Sequence, residues 1–63
     1  MKIKETIHTD EGPVVMCLHK YTDTSATWGD SDIAMEMTKQ EAKEAHQRMV
    51  TMYPLSGGIQ AVD

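Results

Sequence analysis

The chain predicts an α+β fold: a three- or four-stranded, mainly antiparallel sheet crossed on one face by a single helix. The expected order is β-β-β-α, with residues 59–62 as the candidate fourth strand. Three observations predict it. "VVMCLHKY", residues 14–21, is a β-branched and aromatic run of the kind that fits a pleated, half-buried surface. "TKQE", residues 38–41, has the form of a capping box and is followed by apolar residues at helical spacing. "DEGP" (10–13) and "SGG" (56–58) punctuate the chain where turns are needed.

The first strand is expected at residues 2–9. Ile3 and Ile7 share one face, with Lys4, Thr6 and His8 on the other, although Glu5 interrupts the apolar side. Residues 10–13 then turn the chain into a second strand, 14–21. A four-residue turn would set His8 opposite Val15, Thr6 opposite Cys17 and Lys4 opposite His19. "DIAMEM", residues 32–37, alternates with Ile33, Met35 and Met37 on one side, and is expected as the third strand. Its rival is one long helix beginning at Ser31, since Ile33 and Met37 are also four apart. The Thr38/Glu41 capping box decides for a helix that begins at about Lys39.

That helix carries Ala42, Ala45, Met49 and Met52 as a single stripe. The small alanines would let it lie close to the sheet. Glu44 and Arg48 on its outer side are spaced as an i,i+4 ion pair. Pro54 stops it, because the residue before a proline avoids helical geometry. "IQAV", 59–62, alternates and would lie beside the first strand. The expected core is Ile3, Ile7, Val14, Met16, Leu18, Ile33, Met35 and Met37 beneath the helix stripe. With six methionines and no phenylalanine, such a core lacks bulk, and methionine specifies packing poorly.

Length and composition restrict the functions. Sixty-three residues make one domain, 1–63, which buries only about 60% of the surface its unfolded chain exposes and is marginally stable. The one cysteine, Cys17, cannot form an internal disulfide, which points to a reducing cytoplasmic setting. No apolar run follows a basic start, so no signal peptide is expected, and no segment approaches the ~20 apolar residues of a membrane span. The net charge of −4 opposes non-specific nucleic-acid binding, which depends on Lys and Arg neutralising phosphates. Lys2, Lys4, His19 and Lys20 gather at one end of the expected hairpin, but Asp23, Asp30 and Asp32 return to that end.

Four readings of chemistry are open to these residues. Cys17-x-His19 places a thiol and an imidazole on one strand face with His8 nearby, yet no CxxC or HxxxH spacing accompanies them. Neither metal nor cofactor is expected. The same thiol and histidine lack an oxyanion-hole turn and a third orienting group, so catalysis is not expected. Asp23, Asp30 and Asp32 lack the ligand order of a calcium loop. Trp28, the only tryptophan, stands in "TDTSATWGDSD". Its ring either folds beneath that loop to supply the missing aromatic bulk or stands out as an interface anchor.

The functional expectation is a non-enzymatic interaction protein whose partner carries a basic surface. Its expected contact residues are Trp28, Asp23, Asp30, Asp32, Tyr21 and His19. An inhibitor or modulator of a larger protein complex fits this profile. Small phage-encoded proteins that block host defences, anti-CRISPR proteins among them, share it as a class and not by any motif. The alternative is a structural homo-oligomer, a homodimer for example, joined through exposed sheet edges. A metal-binding module ranks behind both.

Overall fold

The structure, a computed structural model, describes all residues Met1–Asp63. Four strands, β1 (Lys2–Thr9), β2 (Gly12–Tyr21), β3 (Ala26–Gly29) and β4 (Ile59–Val62), form one antiparallel sheet in the order β3-β2-β1-β4. A single helix, α1 (Lys39–Met52), packs on one face. The fold is therefore α+β, with the fourth strand formed beside the first.

The β1–β2 hairpin closes through two residues, Asp10 and Glu11, rather than four. Lys4 faces Cys17, Thr6 faces Val15 and His8 faces Pro13, a register two residues away from the expected one. Gly12 takes φ 116°, and no non-glycine residue has a positive φ. Glycine thus absorbs the reversal and lets Gly12 and Pro13 join the strand instead of the turn. Thr9 Oγ1 donates to the Gly12 carbonyl at 2.6 Å and braces the corner. A shift by two preserves the face assignments from Lys4 to Leu18, because side chains alternate with period two, whereas the irregularity between Leu18 and Lys20 turns Tyr21 from the outer face toward the core.

The expected third strand at 32–37 does not form. Its place beside β2 is taken by Ala26–Gly29, with Leu18 opposite Trp28 and Cys17 opposite Gly29. Ser31–Ile33 is instead a short 3-10 turn, and Ile33 is 70% exposed rather than in the core. The reason lies in the route of the chain. The β1–β2 ladder ends at Lys4 and Cys17, and the segment after the 3-10 turn occupies the gap beyond it. Met35 N donates to the Leu18 carbonyl (2.9 Å) and Met37 N to the Met1 carbonyl (2.9 Å). On the sheet face away from the helix, Lys2 Nζ reaches the Ser31 carbonyl at 3.4 Å. On the helix face, Met37 is buried. The segment passes between the strands from one face to the other and cannot be a member of the sheet.

Helix α1 begins as the capping box requires. Thr38 Oγ1 accepts from Glu41 N (3.2 Å), and Glu41 Oε1 accepts from Thr38 N (2.9 Å). The Thr38 backbone amide first, and then the Thr38 hydroxyl, hold the Glu41 carboxyl below its usual pKa. Tyr53 caps the other end, its N–H donating to the Met49 carbonyl. Ala42, Ala45 and Met49 face inward as the stripe predicts. Arg48 does not use Glu44: its Nη1 meets Asp23 Oδ1 at 2.7 Å, and Glu44 accepts from Gln40 instead.

The core is Ile3, Leu18, Met37, Ala42, Ala45, Met49 and Ile59, ringed by half-buried Met1, Tyr21, Ala26, Trp28, Met35, Met52 and Tyr53. Only Ile3, Leu18 and Met49 are large and fully enclosed. Each contributes about 1.5–3 kcal/mol by burial, so each is a sizeable part of the stability of so small a domain. Ile7 and Val14, both expected in the core, are 40% and 46% exposed. They lie on the helix side of the hairpin's distal half, where no helix covers them. No helix is long and apolar enough to cross a membrane.

Candidate functional site

The uncovered half of the hairpin is one wall of a groove. Ile7 and Val14 pair across β1 and β2 and stay exposed because α1 packs over the proximal half, against Ile3, Leu18 and Ile59. The other wall is the chain leaving the helix, where Pro54 forces it away from helical geometry. Between the walls is a groove of about 810 Å³, lined by Glu5, Ile7, His8, Met52, Tyr53 and Leu55 among others. Leu55 is fully exposed. An apolar side chain left wholly in water at the lip of an apolar groove is the kind of feature that marks a binding surface.

Three contacts fix the loop wall. Ser56 Oγ donates to Glu5 Oε2 at 2.9 Å. Thr6 N donates to the Gly58 carbonyl at 3.0 Å, continuing the β1–β4 ladder by one step. Trp28 meets Tyr53 edge-on, with ring centroids 6.3 Å apart and planes at 69°, a favoured aromatic geometry. Gly58 is required here, since a Cβ would lie 2.4 Å from the Thr6 carbonyl oxygen. The groove is therefore braced at both ends of its loop. Among its lining residues Glu5 is the only carboxylate and no lysine or arginine is present. Asp10 and Glu11 stand at the adjoining hairpin tip.

The residues singled out from sequence divide into two groups. Tyr21, Asp23 and Trp28 belong to the helix layer: Tyr21 and Trp28 pack against the core, and Asp23 is tied to α1 through Arg48. Trp28 sits on β3, not in a loop, and is half-buried. It supplies aromatic bulk to a core that has no phenylalanine, and it also supports Tyr53 in the groove wall. His19, Asp30 and Asp32 lie toward the other face. The His19 Nε2–H donates to the Asp30 carbonyl at 2.8 Å, and the ring covers Gly29, where any Cβ would be 2.6 Å from it. Asp30 and Asp32 are exposed. The three aspartates thus occupy two places and do not form one acidic loop.

Cys17 is buried, and His8 lies toward the far end of the hairpin, opposite Pro13. No three His, Cys, Asp or Glu side chains converge as a metal site would need. His46, on α1, is turned to the Ile59 carbonyl at 3.1 Å.

Sequence reading missed Leu55, Tyr53 and the exposure of Ile7 and Val14. One signal was available: Leu55 is a large apolar residue stranded between Pro54 and Ser-Gly-Gly, in a segment too short to bury it. Comparison with protein-family models, curated proteins and solved structures finds no match to this chain.

Proposed function

We propose that this protein is a non-enzymatic docking domain that binds a protein partner through the groove between the hairpin and the 53–58 loop. The observation that carries this reading is the presence of exposed Ile7 and Leu55 in the lining of one braced groove, with exposed Val14 beside Ile7 on the neighbouring strand. Apolar anchors in a pre-formed groove cost little ordering entropy on binding. The groove's charges define the partner. With Glu5 in the lining, Asp10 and Glu11 at the tip and no cation in the lining, it suits an apolar segment flanked by Lys or Arg. The net charge of −4 steers the same class of partner over longer range. A domain of this size acts on a larger assembly by covering one of its surfaces, which is the action of an inhibitor or modulator.

The test is capture from a cell lysate with immobilised protein, read by mass spectrometry. Wild type is compared with Leu55→Asp and with a triple Asp23→Asn/Asp30→Asn/Asp32→Asn variant, each confirmed as folded by circular dichroism. The groove reading expects a specific basic protein held by wild type, lost by Leu55→Asp and weakened only modestly by the triple variant. Equal capture by Leu55→Asp and loss in the triple variant would transfer the site to the aspartates.

A further inference from the structure

The two free edges of the sheet carry opposite charge and are geometrically matched. β3 and β4 are its outermost strands. β1 and β3 are both antiparallel to β2, and β4 is antiparallel to β1, so β3 and β4 run in opposite directions. They also stand at the same height. Gln60 lies opposite Lys4, Lys4 opposite Cys17, and Cys17 opposite Gly29. A copy placed beside the sheet and rotated to continue its twist therefore sets its β4 against the β3 of the next copy. The new pair is antiparallel and close to in register, and both helices stay on the same face.

Charge favours that contact on both faces. On the helix face of the β4 edge, Lys39, Lys43 and His46 line a cleft of about 540 Å³ with Ile59, Gln60 and Ala61. On the opposite face, Lys2 and Lys4 lie across from Val62 and Gln60, and exposed Asp63 follows the strand as an acid among these cations. At the β3 edge, exposed Asp23 precedes the strand and exposed Asp30 and Asp32 follow it. Two cations share that edge: Arg48, which is engaged by Asp23, and Lys20, opposite Thr27. Neither edge strand contains a proline or a charged side chain of the kind that blocks pairing, although His46 already holds the Ile59 carbonyl at 3.1 Å and leaves the rest of the β4 edge for the new pair.

We propose that the protein self-associates head to tail, the β4 edge of one copy adding to the β3 edge of another to give a continuous antiparallel sheet. The contact is heterologous, so it does not stop at a dimer: it extends to chains or closes as a ring. Each edge strand has only four residues, so the association is reversible and depends on concentration. It uses neither Leu55 nor the groove and stands independently of the proposed function.

Sedimentation of the full-length chain tests it. At low salt the average mass is expected to rise with concentration past twice the monomer. It should fall back toward the monomer when salt goes from about 20 mM to about 500 mM, which shortens the Debye length severalfold. The variants Lys39→Glu/Lys43→Glu and Asp30→Lys/Asp32→Lys change exposed side chains only. Each alone is expected to remain monomeric, and an equimolar mixture to associate again, because each presents an edge complementary to the other. Leu55→Asp is expected to associate as wild type does. A wild type that stays monomeric at all concentrations, one that stops at a dimer, or a mixture of the swapped variants that stays monomeric would each overturn the proposal.

Discussion

Replacing Gly58 by alanine is expected to loosen the groove's loop from the sheet. The added Cβ would lie 2.4 Å from the Thr6 carbonyl oxygen, where real Cβ contacts do not fall below 3.0 Å. The backbone must then move apart by at least the difference, 0.6 Å. The Thr6 N to Gly58 O bond, 3.0 Å long, is carried by that movement beyond hydrogen-bonding range. Losing it costs about 0.5–1.5 kcal/mol, and disturbing the neighbouring buried Ile59 adds about 1 kcal/mol, a fraction of its full burial. The sum is about 2 kcal/mol out of roughly 3–9 for a domain of this length. At about 4–8 °C per kcal/mol for so short a chain, thermal unfolding followed by circular dichroism should show a drop of about 8–16 °C. Gly57→Ala is the control. Nothing lies within 4 Å of a Cβ there and its φ is not positive, so its change should stay within about 0.5 kcal/mol. Equal melting temperatures for the two variants would refute the close approach of the loop to β1.

Three further outcomes follow from the same structure. Thr38→Ala removes one half of the capping box and should destabilise by about 0.5–2 kcal/mol in urea unfolding. The other half adds a pH dependence. Glu41 has a folded pKa below its unfolded value. Its contribution is therefore present above the unfolded pKa and is lost as pH falls through the folded one. Glu41→Gln should accordingly lose less stability than wild type on acidification through the carboxylate range, and parallel curves would contradict the assignment. Cys17 is 5% exposed, on the sheet face crossed by the 3-10 turn and the segment that follows it. A thiol reagent should label it slowly in native protein and rapidly in denaturant; rapid native labelling would contradict the placement of that segment.

What was legible in the sequence was whatever local chemistry decides. The capping box, the helix stripe and Pro54 placed the start of α1 at about Lys39 and its end before Pro54, where the helix is found. The inward side chains of β1 and β2 survived an error of two in register because that error is a whole period. What failed depended on partners distant in sequence. Ile33, Met35 and Met37 alternate as a strand would, yet the opening between the ends of β1 and β2 draws 34–37 through the sheet. The true third strand, "ATWG", has too few apolar residues to show alternation and is defined by pairing with β2. Ile7 and Val14 were rightly placed on the helix side, but a pattern of faces does not tell where a helix ends above a sheet. The exposed apolar groove follows from that length mismatch and from Leu55, and no local motif encodes it.

The central claim is that this groove is the surface through which the protein acts. Site-specific photo-crosslinking tests it directly: the reactive side chain is placed at position 55 in one sample and at position 20, on the exposed outer face, in another. Both are irradiated in cell lysate beside an untreated control. The account predicts, from position 55 and not from position 20, a discrete crosslinked product to a protein other than this chain. Crosslinks from position 20 alone, or none from either position, would contradict it.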